Sequence, residues 1–272
     1  MSSAVVPLDL PPDGEVIWRY MSFTKFVAML ASRSLFFARS DTFMDTFESA
    51  VPQADIAGAR AYFAGLMRQP VIDVDGISRF DQDGVRGYVG HFLNMSPEQQ
   101  RAISDAELPS YMLRIANRFI YVNCWHRNRT ESAGMWDLYL ESDEGVAIRS
   151  TIGALKAALT GSSHPIYLGT VNYLDYATGS WGAYKPLHPT FHKRISFAHE
   201  QEVRAAIINP ADTDARVSAG LGIPVVLNKL IHEVCVSPKS QTWFRDVVAA
   251  VLERFGHDLP LTRSDLYDTP MF

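Results

Sequence analysis

A chain of 272 residues with 47% hydrophobic and 20% charged residues is long enough to bury a core without staples, and its composition excludes disordered and fibrous classes. A formal net charge of -5 argues against bulk electrostatic attachment to nucleic acid, so such binding is not expected. The two cysteines, Cys124 and Cys235, sit in apolar strand-like surroundings and read as buried small side chains, not as a disulfide or metal pair, which fits a reducing, cytoplasmic setting.

The first fourteen residues hold three prolines and acids, unlike the basic region and apolar run of a secretory signal, so none is expected there. No apolar stretch has the length of a membrane span, and no membrane association is expected. Val16 to Tyr20 then predicts a short strand, and Phe23, Phe26, Val27 and Leu30 recur at helical spacing behind Ser22, a candidate N-cap. Leu35 to Ala38 predicts a second strand, followed by a turn-rich stretch in which Asp41, Asp45 and Glu48 cluster. From Ser49 to Ser110 the pattern is helical with polar breaks, including Ser96-Pro97-Glu98, a helix-start signal; this predicts a helical insertion within one domain spanning the whole chain.

Phe119 to Trp125 and Gly145 to Ile148 predict strands flanking a short helix over Met135 to Leu140. Further strands are predicted over Pro165 to Tyr173, Val203 to Ile208 and His232 to Val236, and Trp243 to Phe255 is a strongly amphipathic final helix. The elements do not alternate as regular βαβ units. The expected fold class is therefore α+β, with a split, mainly antiparallel sheet.

Three motifs fail. Gly220-Leu221-Gly222 lacks the third glycine of a dinucleotide fingerprint, no phosphate-binding Walker loop exists, and no G-x-S-x-G elbow is present. His188, His192 and His199 lack the zinc-hydrolase pattern, and Pro186 and Pro189 make a shared helical face for the first two unfavourable, so no metal is expected.

What remains is a set of separated polar residues. Arg19, directly after the first strand, offers a forked donor to a phosphate or ribose oxygen; its alternative is an ion pair with Asp45 or Glu48. Trp136 and Tyr139 share one face of a helical turn, either as core or as the wall of a planar ligand's pocket, and Ser132 before them is a cap or a ligand contact. In an extended segment Glu200 and Glu202 project to the same side, which crowds two like charges unless a cation or a hydroxyl-rich ligand meets them. The structural alternative pairs them with Arg204, or with Lys193 and Arg194.

The segments Trp18-Arg19-Tyr20, Leu35 to Ala38 with Phe43 to Glu48, Met135-Trp136 with Tyr139 and Gly145-Val146, and Glu200 to Arg204 resemble the bacterial family named domain of unknown function 2971. This chain has Met44-Asp45-Thr46-Phe47-Glu48 where that family has Asn-Asp-Pro-Phe-Glu. The order of an Arg on an early strand, a Ser before an aromatic turn and a Glu-x-Glu at a late strand is more distantly similar to ADP-ribosyltransferases. That resemblance implies a split-sheet fold that takes NAD as a substrate without Rossmann glycines, and transfer of ADP-ribose to an acceptor macromolecule of unknown class. It implies Glu202 as the group stabilising positive charge on the ribose, Glu200 as the residue positioning the acceptor, Arg19 on ribose or pyrophosphate, Ser132 supporting the glutamate and Tyr139 packing on nicotinamide. The competing expectation is a nucleotide-sensing or protein-interaction module that binds without cleaving; a toxin or defence effector is one setting for the transferase. An exposed Glu202–Arg204 pair would make Glu202→Gln cost about 1 kcal/mol or less.

Overall fold

A computed structural model describes residues 5–43, 45, 50–68, 96, 98, 108–182, 185, 187–209 and 219–269. Most of the predicted insertion, and the Ser96-Pro97-Glu98 helix start as a unit, lie outside these residues.

After β1 (Val5–Leu8), β2 (Val16–Ser22) runs into α1 (Phe23–Ser32). Ser22 caps that helix, its hydroxyl oxygen accepting the Lys25 N–H at 3.5 Å, and Arg33 ends it in the left-handed conformation, φ 49°, turning the chain back into β3 (Ser34–Arg39). Next come α2 (Ile56–Arg68), α3 (Leu108–Ala116), β4 (Ile120–Arg127), α4 (Ala133–Tyr139), β5 (Gly145–Thr151) and α5 (Ile152–Leu159). The predicted strand over Pro165 to Tyr173 is two strands, β6 (Ile166–Thr170) and β7 (Asn172–Leu174). They join different sheets: β6 pairs with β1 and β7 with β8 (His192–Arg194). The chain closes with β9 (Glu202–Ile208), β10 (Gly220–Pro224), α6 (Leu227–Leu230), β11 (Glu233–Val236), α7 (Thr242–Arg254) and β12 (Leu261–Arg263).

The fold is α+β. Its main sheet runs β1-β6-β9-β4-β2-β5-β11-β12, with β3 on β4 and β10 on β3. Only the β1–β6 and β11–β12 pairs in it are parallel. The register of β4 shows where the sheet splits. Its C-terminal end pairs with β2 through Ile17↔Arg127 and Trp18↔His126, whereas its N-terminal end pairs with β3 through Ala38↔Val122 and Arg39↔Tyr121. Between these contacts β2 and β3 diverge, and Asn123, Cys124 and Trp125 border the opening.

Side-chain alternation sends residues of one strand to opposite layers. Ile17, Met21, Trp125, Val203, Ala205 and Ile207 meet α1, α5 and α7 in the principal core. On the other face, Ala206 and Ile208 pack with α2 and α3, while Trp18, Tyr20 and Ala147 pack with Met135 and Trp136 of α4. Every residue of β9 is buried, so Glu202 and Arg204 enter the interior between these two helical groups. Among the described residues, no helix is long and apolar enough to cross a membrane.

Candidate functional site

Arg19 stands at the split. Its guanidinium donates to Cys124 O and to Phe36 O, both at 3.4 Å, distances at the weak limit of hydrogen bonding. Phe36 O already accepts the Asn123 Nδ2–H at 2.8 Å, and Asn123 Oδ1 accepts the Trp125 indole N–H at 2.7 Å. Among the described residues Arg19 has no carboxylate partner. The alternative pair with Asp45 does not form, and Asp45 binds Arg194 at 3.0 Å; Glu48 lies outside the described residues. Burial lowers the Arg19 pKa, opposed chiefly by Cys124 and Tyr139, both of which sit close enough to favour the charge.

Tyr139 carries the site towards the glutamates. Tyr139 is 44% exposed, so it lies at the surface and not in the core, while its partner on the same turn, Trp136, is core at 1%. The Tyr139 phenol is pushed well up, first by burial of the hydroxyl and then by the negative charge of Glu202. Tyr139 is therefore within electrostatic reach of Arg19 on one side and of Glu202 on the other.

The glutamates differ from expectation in how they come together. Glu200 ends a 3-10 helix (Ile195–Glu200), Gln201 takes a left-handed turn at φ 41°, and only Glu202 belongs to the strand. The turn, not extended alternation, aims both carboxylates at Lys193 Nζ, which lies 2.6 Å from Glu200 Oε2 and 2.8 Å from Glu202 Oε1. Arg204 binds Glu202 through Nε at 2.8 Å and Nη2 at 3.2 Å, and its Nη1 donates to Thr190 O at 2.7 Å. The pairing foreseen as the structural alternative thus forms with Lys193 and Arg204. It is buried: Arg204 is 1% exposed and Glu202 4%, so the small cost of an exposed pair does not apply.

Their environments separate the two carboxylates. Glu202 is held well below the usual carboxylate range despite its burial, because Arg204 and then the hydrogen bond from Glu200, Arg204 again and Lys193 favour the anion. Burial, followed by the hydrogen bond and charge of Glu202, pushes Glu200 up to about 8. The two carboxylates are thus pushed in opposite directions, Glu200 towards its protonated form and Glu202 towards its anion. Lys193 bridges the two carboxylates, and Arg204 binds Glu202 alone.

Ser132 does not reach this pair. It precedes α4 without a side-chain cap bond; its N–H donates to the Tyr20 hydroxyl at 2.8 Å, and Glu202 is supported by cations instead. Two residues outside the expected set join the site. The Tyr173 hydroxyl accepts the Glu202 N–H at 2.9 Å, and His126 stands directly opposite Glu202 in the β4–β9 register. Cys124, expected to be buried, is partly exposed, and both cysteines are free thiols. A pocket of about 610 Å³ is lined by Trp18, Glu131, Arg149 and Cys235, among others, but not by Arg19 or either glutamate. Among the described residues no group of three or more His, Cys, Asp or Glu is placed to hold a metal ion.

No family model matches the chain, and no curated protein does. Among solved structures, DarT from Thermus sp. 2.9 in complex with carba-NAD+ aligns at 10% identity and a TM-score of 0.37, over 93% of this chain and 96% of that one. The same protein in complex with ADP-ribosylated ssDNA aligns at 11% identity and TM-score 0.37, over 97% of each chain. Its NAD+ complex gives 10% and 0.35, over 94% and 98%. Likeness at this level transfers neither residues nor chemistry.

Proposed function

We propose that the split of the sheet binds NAD and that the chain is an ADP-ribosyltransferase-like enzyme acting on an acceptor macromolecule. The observation that carries this reading is the Arg19 guanidinium, partly buried at the split without a carboxylate partner among the described residues and held by two 3.4 Å carbonyl contacts. A charge kept against its own desolvation and left without a counter-ion is set for an anionic ligand. Membership of the domain of unknown function 2971 family belongs to the same proposal and rests on the segments quoted for it above.

In this reading Arg19 holds pyrophosphate or ribose, the exposed Tyr139 ring packs on nicotinamide, and ionised Glu202 faces the ribose carbon. The bond from that carbon to the nicotinamide nitrogen breaks, nicotinamide leaves with the electron pair, and an acceptor atom bonds to the carbon and loses its proton. Glu202 stabilises the positive charge that develops on the ribose. Glu200 positions the acceptor, whose proton passes to solvent, while Glu202 stays ionised beside the ribose. Ser132 contributes through the Tyr20 contact to the placement of α4, and so of Tyr139.

A second reading, nucleotide binding without cleavage, is favoured by one observation: both Glu202 oxygens are engaged by buried cations. Incubation with NAD labelled on its adenylate portion, alone and with cell extract, separates the two. Transfer of label to protein, nucleic acid or small molecules, together with nicotinamide release, supports the transferase. Saturable binding with no release under any condition supports the sensor.

A further inference from the structure

His126 holds a buried nitrogen that the fold does not use. The residue is 5% exposed, on the same face of β4 as Cys124 and directly opposite Glu202 on β9. Its Nδ1 lies 2.6 Å from Glu200 O. A carbonyl oxygen only accepts, so Nδ1 carries the hydrogen and the tautomer is fixed with Nε2 as a bare acceptor. That Nε2 is buried and has no hydrogen-bond partner among the described residues.

Leaving such an acceptor unmatched is costly, and nearly all buried polar atoms in folded proteins find a partner. Burial keeps the imidazole neutral by lowering its pKa. The Tyr20 ring, 6.3 Å away, has committed its hydroxyl to Ser132 N–H as acceptor at 2.8 Å, and the neighbouring Trp18 indole N–H donates to Asn128 O at 3.2 Å. The Trp18 indole N–H is thus occupied and the Tyr20 hydroxyl keeps one hydrogen to donate, while the carboxylate opposite His126 is the one assigned to the ribose.

We infer that His126 Nε2 accepts a hydrogen bond from a hydroxyl of the ribose bound beside Glu202, which makes the site selective for ribonucleotides over deoxyribonucleotides. The inference rests on the nucleotide-binding reading above. It makes His126 a specificity-determining contact and not a proton carrier, since Nε2 takes a hydrogen bond without taking the proton.

The test measures dissociation constants by calorimetry for NAD and for analogues lacking the 2′- or the 3′-hydroxyl of the nicotinamide ribose. Wild-type protein should lose about 3- to 10-fold in affinity with one analogue, the range of a single neutral hydrogen bond. His126→Asn keeps a donor for Glu200 O but removes the Nε2 acceptor, and should bind NAD and that analogue alike. His126→Gln places an amide oxygen near the Nε2 position and should retain the discrimination, even if it melts lower. A wild-type readout needs no variant: the ¹⁵N resonance of His126 Nε2 should move upfield on addition of NAD. Equal affinity of wild type for all three nucleotides, discrimination that persists in His126→Asn, or an Nε2 resonance that NAD leaves in place overturns the inference while NAD binding itself stands. Failure of NAD to bind wild-type protein overturns the functional reading, and the inference with it.

Discussion

Replacing Arg19 by methionine separates a ligand-binding guanidinium from a structural one. Methionine fills a comparable volume and carries no charge. The two hydrogen bonds lost are 3.4 Å long, and Phe36 O keeps its 2.8 Å bond from Asn123, so at that carbonyl no buried acceptor is orphaned. Against those weak contacts stands relief of the desolvation that lowers the Arg19 pKa. The net change in stability should be about 1 kcal/mol or less in either direction, a shift of roughly 2–4 °C or less in melting temperature for a protein of this size. Affinity for NAD, by contrast, should fall roughly 10- to 100-fold, the ~1.5–3 kcal/mol of hydrogen bonding to a charged group. Differential scanning calorimetry and titration calorimetry on the same preparations give both numbers. A melting temperature lowered by about 10 °C, the ~3–5 kcal/mol expected from breaking a buried ion pair, with NAD affinity unchanged, would refute the reasoning and make Arg19 a structural strut.

Glu202→Gln should not be the silent substitution that an exposed pair would allow. It strips the countercharge from Arg204, 1% exposed, and partly from Lys193, 8% exposed, and should cost about 3 kcal/mol or more, near 10 °C in melting temperature; a loss below about 2 °C contradicts the buried network. Turnover by the fraction that remains folded should fall further than NAD affinity does, because the lost interaction belongs to the transition state. Stability should also depend on pH through Glu200. With its pKa raised from 4.5 to about 8, the native state holds a proton that the unfolded chain releases, so stability is full below pH 4.5 and declines as pH rises towards 8. The melting temperature of Glu200→Gln should lack that decline; identical profiles for the two proteins would rule it out. Glu202 acts in the opposite sense, contributing stability above the ordinary carboxylate range that is lost as pH falls through its depressed pKa.

Local patterning made much of the framework legible. Ser22 as a cap, α1, β4, β5, β9, β11 and α7 follow from residue periodicity and from chemistry within a few residues. The reach of Tyr139 to both Arg19 and Glu202 does not follow from the local sequence. The split beside Arg19 is encoded by no local signal, since it arises where one strand, β4, pairs with two others. The strand β10 was missed because Gly220-Leu221-Gly222 was weighed only as a nucleotide motif. Gly220 is small for another reason: a Cβ there would meet Phe37 O and the Phe36 ring at 2.3 Å. Ser132 was misplaced because a polar residue before a helical turn looks the same whether its side chain or its backbone makes the contact. His126 escaped notice as the end of an otherwise apolar strand, and the alternation Val122, Cys124, His126 is the signal that placed it on the face of Glu202.

The most direct test of the NAD-binding account is a crystal structure of the chain with a non-cleavable NAD analogue. The account predicts the pyrophosphate within hydrogen-bonding distance of the Arg19 guanidinium, at the divergence of β2 and β3, with the nicotinamide ribose between Tyr139 and Glu202. An analogue seated elsewhere, with Arg19 still held only by Cys124 O and Phe36 O, would contradict it.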